Sequence, residues 1–421
     1  MKQRIIGAFY SIFPNLCRAA QQVFIQKIIS VSFGPVGFLV FGAVSNLLSI
    51  TNSLALGGVY NGLVARLTTR NARLNSSELK AIVILSLIGL IVSLCILMIV
   101  IYVIRIDWIK NIGEISTIYL AVIMTVTYIG YTLSSYVNAS IVAQKKFRTL
   151  AIIGFIASGL SIFFIFLLMY FSGNSKEIIL WAPAMYAIGA GIISLVLMKS
   201  NRTKFILLFS KKKLSSTLRS YLPYSGMAAC SAFLTPLSAI YILSVFYRSS
   251  GGEAAGIFLA LTKLSDIVTI FIGPVIATQI YPNLIGCVGD TNKLRKMYKH
   301  IFVIFLISFF LFQILAFGSS IAMHSLFTEK FVINWQISHI FFFGEAFRIL
   351  SVTLGYLVIS SGSFYSYLFF DIITKGLLCL VATVFVPIGG IFFYSIAYIF
   401  VWIFSSIIII IWAEKRSVSI N

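Results

Sequence analysis

The 421-residue sequence is poor in charge and above all in acids. Charged residues make up 10% of the chain, and only 11 residues are Asp or Glu. Soluble domains carry about 25% charged residues and roughly half apolar ones, whereas 60% of this chain is hydrophobic. A water-soluble fold has too little polar surface to cover that many apolar side chains. The composition therefore excludes a soluble globular protein and predicts a protein whose solvent is lipid.

Motifs for metals, nucleotides and catalysis are also missing. The five cysteines lie in or beside apolar runs, without the repeated spacing of zinc sites or disulfide frameworks. The chain has neither a G-x-x-x-x-G-K-[ST] phosphate loop nor an H-E-x-x-H zinc pair. No polar segment is long enough to form a catalytic domain. We therefore expect a protein that is not an enzyme and has no cofactor or metal.

Long apolar runs dominate what is present. A transmembrane helix needs about 20 apolar residues, and its backbone must satisfy its own hydrogen bonds in lipid. Runs such as 81–103 lack the alternation typical of β-barrel strands. The sequence predicts an all-α polytopic membrane protein with twelve transmembrane helices. These spans lie near 5–30, 37–64, 81–104, 117–142, 149–171, 178–198, 219–247, 254–284, 299–318, 335–360, 364–386 and 391–412.

The cations are distributed asymmetrically between the loops. About two thirds of the 32 lysines and arginines lie before span one, after span twelve, or in the loops that follow the even-numbered spans. By the positive-inside rule these segments are cytoplasmic, which predicts that both termini are cytoplasmic. The net charge of +21 then reflects orientation and attraction to anionic lipid headgroups. We expect no nucleic-acid partner.

The most basic of these loops divides the chain in two. It covers residues 199–218 and separates six spans from six. An even number of spans gives both halves the same orientation, which is typical of a parallel repeat about an axis normal to the membrane. We therefore expect an N-terminal six-helix bundle over residues 1–205 and a C-terminal one over residues 206–421.

Seven charged residues lie in the interior of the predicted spans, away from the span ends. Each would cost about 2.5–3.5 kcal/mol at the centre of the bilayer, so we expect these side chains to face water or one another. The cations are Arg18, Lys263, Arg348 and Lys375, and the acids are Asp266, Glu345 and Asp371.

Six of these charges form three pairs by spacing. Each pair is three or four residues apart and occupies one helix face: Lys263 with Asp266, Glu345 with Arg348, and Asp371 with Lys375. Each pair is either a ligand contact or a neutralised bridge that fixes helix packing, and the spacing leaves both interpretations open.

Arg18 has no acid within helical reach in its own span, so we predict that it contacts a ligand. Polar side chains extend the charged positions into stripes. Gln22 lies one turn after Arg18 on span one, while Asn46 and Asn61 lie on span two. Such stripes on several helices predict a wet central cavity.

Six short motifs occur in order along the chain. They are SFGPVG at 32–37, GGVYNG at 57–62, GI at 256–257 followed by LSD at 264–266, YPNL at 281–284, LFTEKF at 326–331 and GYLVIS at 355–360. With the twelve spans, they resemble the Wzx-type flippases of the multidrug/oligosaccharidyl-lipid/polysaccharide exporter (MOP) superfamily. The resemblance is strongest to flippases for enterobacterial common antigen and O-antigen intermediates.

This resemblance implies a fold, a substrate and a location. The fold is a V-shaped pair of six-helix bundles with a central cationic cavity and alternating access. The substrate is an undecaprenyl-diphosphate-linked oligosaccharide, moved from the cytoplasmic to the periplasmic leaflet of a bacterial inner membrane. Membrane lipids and other polysaccharide-assembly proteins are the implied partners. Arg18 falls where the family places a cation on the first helix, and Asp266 matches its acidic position on the eighth.

We hypothesise that Arg18, Arg348, Lys375 and Lys263 hold the diphosphate, because arginine binds phosphate bidentately and lysine acts as a point charge. A multidrug antiporter of the same superfamily is the first alternative. It needs an acidic cavity for organic cations, whereas four cations face three acids here. A polytopic polysaccharide polymerase is the second alternative. It is expected to carry an acidic cluster in a long outer loop, which this sequence lacks.

Overall fold

The computed structural model describes residues 2–60, 63–64, 67, 76–103, 117–144, 146–172, 177–200, 211–276, 280–284, 287, 290–361 and 363–418. Within these residues the regular structure is helical. Helix α1 is followed by a short 3₁₀ turn, Ala55–Gly58, and then by eleven further helices. In chain order they are α1 Lys2–Ser53, α2 Ser76–Val103, α3 Thr117–Ala143, α4 Phe147–Ser172, α5 Glu177–Trp181, α6 Met185–Ser200, α7 Lys211–Val275, α8 Tyr281–Leu284, α9 Thr291–Phe317, α10 Ser319–Leu326, α11 Trp335–Ser360 and α12 Phe364–Val418.

The predicted all-α membrane fold is confirmed. Within the described residues, eight helical stretches are long and apolar enough to cross a membrane, and Met185–Met198 is a shorter apolar helix. Three of the eight are 41, 42 and 53 residues long, enough for two crossings each at about 20 residues per crossing. Each of the twelve predicted spans therefore coincides with part of a described helix. The protein is a multi-pass membrane protein.

The three longest helices are kinked at glycines. Their backbone turns at Gly34 in α1, at Gly251 in α7 and at Gly389 and Gly390 in α12. Gly34, Gly251 and Gly390 have positive φ angles of 64°, 85° and 58°, a region that glycine enters without steric cost. Spans predicted as separate helices are thus joined by a glycine kink and not by a loop.

The described chain divides into two compact units. The first unit contains Met1–Ile25 and Val40–Leu237, and the second contains Gln26–Leu39 and Ser238–Asn421. Segment 26–39 therefore belongs to the unit that holds most of the C-terminal half, and the first unit extends past the predicted boundary to Leu237. The sequence-based bundles, 1–205 and 206–421, and their V-shaped arrangement stay predictions.

Close helix packing characterises the first unit. Helix α3 packs on α2 and α6, and α6 also packs on α4. Gly130 of α3 allows this approach, because a Cβ atom at that position would overlap the carbonyl oxygen of Ala187 on α6. Small residues permit such close contacts between transmembrane helices.

Aromatic rings dominate the core of the second unit. Phe246 of α7 stacks on Phe258 at a centroid distance of 4.3 Å, and Tyr394 of α12 packs edge-on against both rings. Phe341 of α11 continues the row towards Tyr398 of α12. Helix α11 packs on α9 and α12. These contacts set the relative positions of the three helix segments that carry the charges.

Segment 26–39 is tied to the second unit by specific contacts. Lys27 donates hydrogen bonds from Nζ to the carbonyl oxygens of Ser325 (2.7 Å) and Phe327 (2.8 Å) at the end of α10. Gly256 of α7 lies so close to Pro35 that a Cβ atom would overlap the Pro35 carbonyl oxygen. The motifs at 32–37 and 256–257 are therefore explained in part by packing against each other.

Candidate functional site

The predicted pair of Glu345 and Arg348 forms a nearly buried bridge on α11. Arg348 donates from Nε to Oε2 of Glu345 at 2.7 Å, and its Nη2 lies 2.6 Å from the same oxygen in a salt bridge. Tyr398 of α12 donates its hydroxyl hydrogen to Oε1 of the same carboxylate at 2.6 Å. The Glu345 side chain is 3% exposed and the Arg348 side chain 22%. Both oxygens of Glu345 are therefore occupied by the protein itself.

Arg348 also links α11 to α7. Its Nη2 donates to Thr269 Oγ1 at 3.0 Å, and Thr269 lies one turn beyond Asp266 on α7. Asp266 forms the second predicted pair, with Lys263, at 3.2 Å. Asp266 interacts electrostatically with Arg348 as well. The two confirmed pairs thus lie side by side and sum to zero charge.

The third predicted pair, Asp371 with Lys375, shares one side of α12 and interacts electrostatically, but the two side chains make no salt bridge. Lys375 Nζ instead lies 5.6 Å from the centroid of the Trp402 ring, whose π face attracts an ammonium group. Asp371 Oδ2 is buried without a hydrogen-bond partner among the described residues. Both side chains line a cavity of about 220 Å³ within the second unit. The four-residue spacing thus placed both side chains at one site, and the structure adds Trp402 as a partner of Lys375.

In the first unit, Arg18 is held by aromatic side chains. Its guanidinium carbon lies 4.8 Å from the ring centroid of Tyr186 on α6 and 5.9 Å from that of Tyr131 on α3. Arg18 Nη2 donates to the Tyr131 hydroxyl at 3.3 Å. No carboxylate among the described residues lies within ion-pair distance of Arg18. Two tyrosine rings position this cation without neutralising it.

The remaining predicted polar residues belong to the first unit or are not described. Gln22 is exposed and Asn46 half-buried, and the Asn46 carbonyl accepts a hydrogen bond from Ser49 Oγ at 2.7 Å. Asn61 lies outside the described residues. Gln21, next to Gln22, is buried and donates to Ser161 Oγ at 2.8 Å. The roles of Gln22, Asn46 and Asn61 as ligand contacts stay predictions.

Aromatic residues are the functional partners that sequence reasoning missed. Tyr131 and Tyr186 hold Arg18, Tyr398 holds Glu345, and Trp402 faces Lys375. Tyrosine and tryptophan favour the membrane–water interfaces, so their location well inside a span is a usable signal for a polar partner. The sequence does not show which charged residue each aromatic side chain contacts, because the two lie on helices that are distant along the chain.

The distribution of the seven charges within the spans is uneven. Three cations and three acids lie in the second unit, where they compensate one another. Arg18 is the only one of the seven in the first unit. The surplus of one cation predicted from the sequence is therefore Arg18 itself.

Known structures share this fold. A multidrug resistance MATE family transporter of the MOP superfamily, in an inward-facing conformation, has a TM-score of 0.68 and 14% identity, over 97% of this chain and 95% of that one. A MOP superfamily transporter from Pyrococcus furiosus gives 0.63 and 13%, over 98% and 96%. A Vibrio cholerae MATE transporter variant gives 0.62 and 13%, over 100% and 97%.

Comparison of the sequence with protein-family models gives no match, and neither does comparison with curated proteins. At identities of 12–15%, the structural likeness shows the fold over nearly the whole chain. The similar structures are those of transporters and not of enzymes. The chain has the fold of the MATE transporters of the MOP superfamily.

Proposed function

We propose that this protein is a flippase for an oligosaccharide linked to undecaprenyl diphosphate, of the kind used to build O-antigen. It carries the substrate from the cytoplasmic to the periplasmic leaflet of a bacterial inner membrane by alternating access. The polyprenyl tail stays in lipid during this movement. The resemblance of the six sequence motifs to Wzx-type flippases and the shared transporter fold both support the proposal.

The environment of Arg18 is the observation that carries the proposal. A charge at bilayer depth is costly and marks a functional site by default. The other six charges have opposite charges nearby, whereas Arg18 has two π faces and one phenol hydroxyl. A cation–π contact is worth about 0.5–2 kcal/mol, which orients the guanidinium but leaves its charge available. An anionic ligand group would complete this site.

A diphosphate suits the Arg18 site better than an organic cation does. The planar guanidinium binds phosphate oxygens bidentately and stays charged at any physiological pH. The similar Pyrococcus furiosus transporter is described by a reversed polarity of its binding pocket that suggests a different function. A cationic surplus in the present chain is compatible with a comparable departure from multidrug transport.

Replacement of Arg18 tests the proposal. Proteoliposomes would contain purified protein and an undecaprenyl-diphosphate oligosaccharide whose glycan is accessible to an external lectin only after translocation. We expect Arg18→Gln to slow translocation about 10- to 100-fold, because a hydrogen bond to a charged group contributes about 1.5–3 kcal/mol. Lys415→Gln, which removes an exposed cation near the end of α12, should translocate at the wild-type rate.

Equal translocation rates for wild type and Arg18→Gln would exclude the role of Arg18. In cells that depend on this protein for flipping, its loss should leave the lipid-linked oligosaccharide on the inner leaflet and abolish long surface polysaccharide. An unchanged polysaccharide in the deletion strain would contradict the proposed function as a whole.

A multidrug antiporter is the second candidate, and one observation favours it. Asp371 presents a buried carboxylate oxygen without a hydrogen-bond partner among the described residues, as a site for an organic cation requires. Lys375 lines the same cavity and opposes a cation there. Efflux of ethidium by proteoliposomes, lost in Asp371→Asn and retained in Arg18→Gln, would favour the antiporter over the flippase.

A further inference from the structure

The second unit contains a cavity between α11 and the two segments of α12, and its largely apolar lining includes several polar side chains. Its volume is about 220 Å³, which is room for about seven water molecules at ~30 Å³ each. A single sugar ring with its hydroxyl groups needs a similar space. The residues that matter for its chemistry are Ser351, Asp371, Thr374, Lys375, Trp402 and Ser405.

Two polar atoms of this lining lack hydrogen-bond partners among the described residues. Asp371 Oδ2 is an unused acceptor, and Trp402 Nε1 is an unused donor. Leaving a buried polar group unsatisfied costs about 1–3 kcal/mol, so such groups in a folded protein call for a partner. Both atoms are buried against protein, so a ligand pairs with them when the side chains turn towards the cavity, by donating to the carboxylate and accepting from the indole.

Hydroxyl groups line a second part of the cavity. Ser351 Oγ donates to Ser405 Oγ at 2.9 Å, and Ser405 Oγ is hydrogen-bonded to Thr374 Oγ1 at 2.9 Å. Each hydroxyl can donate one hydrogen bond and accept two. These three linked hydroxyl groups join α11 to both segments of α12 and provide uncharged donors and acceptors.

The charges of the cavity determine which class of ligand fits. Lys375 opposes a cation, Asp371 opposes an anion, and both charged side chains oppose an acyl chain. A neutral ligand with several hydroxyl groups satisfies donors and acceptors together and adds no net charge. The Trp402 ring, with Tyr356 and Tyr367, adds the aromatic surface that binding pockets combine with a few placed polar groups. A sugar residue has both the hydroxyls and the apolar C–H face that such a lining favours.

We propose that this cavity binds one neutral sugar residue of the transported oligosaccharide and thereby selects the glycan. The inference rests on the proposed flippase function and deepens it. Ser351 and Val352 of the lining follow Arg348 by three and four residues on α11, so the cavity begins about 5 Å along the helix axis from the charged network. Selection follows because a site built to hydrogen-bond a hydroxyl group strongly rejects an analogue that lacks it.

Two glycines provide a matched pair of variants. A Cβ atom at Gly355, which lines the cavity, meets no atom within 4 Å, and the same holds at Gly376, which does not line it. Gly355→Leu therefore fills the cavity without a clash at Cβ, whereas Gly376→Leu leaves the cavity open. Both changes replace glycine in a helix by a better helix former. Asp371→Asn is a third variant, which keeps the shape but removes the charged acceptor.

The experiment compares binding of two lipids to the purified protein in nanodiscs by native mass spectrometry. One lipid is bare undecaprenyl diphosphate. The other carries a single glucose, galactose or N-acetylglucosamine. We expect the wild type and Gly376→Leu to bind at least one glycosylated lipid at least tenfold more tightly than the bare lipid. We expect Gly355→Leu to reduce that preference to about onefold, and Asp371→Asn to reduce it severalfold.

The outcomes separate the two proposals. If the wild type binds all these lipids with equal affinity, the proposal that the cavity binds a sugar is wrong, while the proposal that the protein binds the diphosphate is retained. The same conclusion follows if Gly355→Leu retains the full preference of Gly376→Leu. If the wild type binds none of the lipids, the flippase proposal is wrong and the sugar cavity falls with it.

Discussion

The two units of this protein accommodate membrane-embedded charge in different ways. In the second unit, Glu345 is engaged at both oxygens by Arg348 and Tyr398, and Thr269 binds the same arginine. In the first unit, Arg18 is enclosed by two tyrosine rings with no carboxylate in reach among the described residues. One arrangement neutralises its charges, and the other preserves a charge.

This difference separates a structural role from a ligand-binding role. A buried ion pair loses much of its Coulomb energy to desolvation, and it chiefly fixes which groups lie together. An unpaired cation at the same depth carries a desolvation cost that is offset only when an anionic ligand binds to it. We therefore expect substitutions in the second unit's bridge to act on stability, and substitutions around Arg18 to act on ligand binding.

The largest expected effect comes from breaking the bridge of the second unit. Glu345→Ala leaves the Arg348 guanidinium without its carboxylate, and removal of one partner of a buried pair costs about 3–5 kcal/mol. The measurement is the free energy of unfolding in detergent micelles. The double variant Glu345→Leu with Arg348→Met should recover most of this loss, since apolar replacement of both partners is often neutral.

Arg18→Gln is the comparison variant for this prediction. It should leave the free energy of unfolding within about 1 kcal/mol of the wild type. The lost cation–π contacts and hydrogen bond are offset because the variant no longer holds an unpaired charge at bilayer depth, which costs about 2.5–3.5 kcal/mol. A loss for Arg18→Gln as large as that for Glu345→Ala would remove the distinction between the two units.

The sequence was sufficient for the helices and for the local ion pairs. Apolar runs place the twelve spans because the length of a span is set by the bilayer. Spacing of three residues identified Lys263 with Asp266 and Glu345 with Arg348, because partners on one helix face are brought together by helix geometry itself. These features depend on neighbours along the chain, and they were predictable.

Contacts between distant helices were not predictable from one sequence. Tyr131 and Tyr186 reach Arg18 from α3 and α6, and Trp402 lies near Lys375 from the distant second segment of α12. Each of these depends on which helices pack together and on their rotation, and periodicity in one helix contains no such information. The cavity in the second unit could not be predicted for the same reason, since three helical segments line it.

A second prediction concerns the close packing of helices in the first unit. Gly130→Ala places a methyl group against the Ala187 carbonyl oxygen where α3 and α6 meet, and overpacking of this kind costs about 1–3 kcal/mol. The free energy of unfolding measures it. Gly159→Ala is the matched control, because a Cβ atom there meets nothing within 4 Å. Equal stability of the two variants would contradict the close packing of α3 on α6.

A third prediction sharpens the role of the tyrosine rings. Tyr186→Leu removes the π face nearest to Arg18 and should weaken binding of bare undecaprenyl diphosphate about 3- to 10-fold, since cation–π contacts contribute about 0.5–2 kcal/mol. Tyr186→Phe keeps the ring and should bind like the wild type. The measurement is the dissociation constant in nanodiscs. If Leu and Phe weaken binding equally, the hydroxyl group and not the π face positions Arg18.

The smallest expected effect lies outside the spans, where charge meets water. Asp290 caps α9 by accepting hydrogen bonds from the backbone N–H groups of Asn292 and Lys293, and it pairs with the Lys293 ammonium at 3.1 Å. The backbone N–H and the ammonium of Lys293 hold the pKa of Asp290 below its ordinary value. Because the pKa of Asp290 is lower in the folded state than in the unfolded state, its contribution to stability is fully present above the pKa of the unfolded state, about 4. The contribution is lost as the pH falls through the pKa of the folded state.

Hydrogen exchange of the first turn of α9 measures this contribution. We expect protection in the wild type to drop modestly when pH is lowered from 7 to 3, after correction for intrinsic exchange, and Asp290→Asn to show a smaller drop because an amide still caps but does not titrate. An exposed pair of this type contributes little because water and salt screen it. The same carboxylate–cation contact is therefore marginal at Asp290 and decisive at Glu345. If the loss at Asp290 matched that at Glu345, burial would not be what distinguishes the charges within the spans.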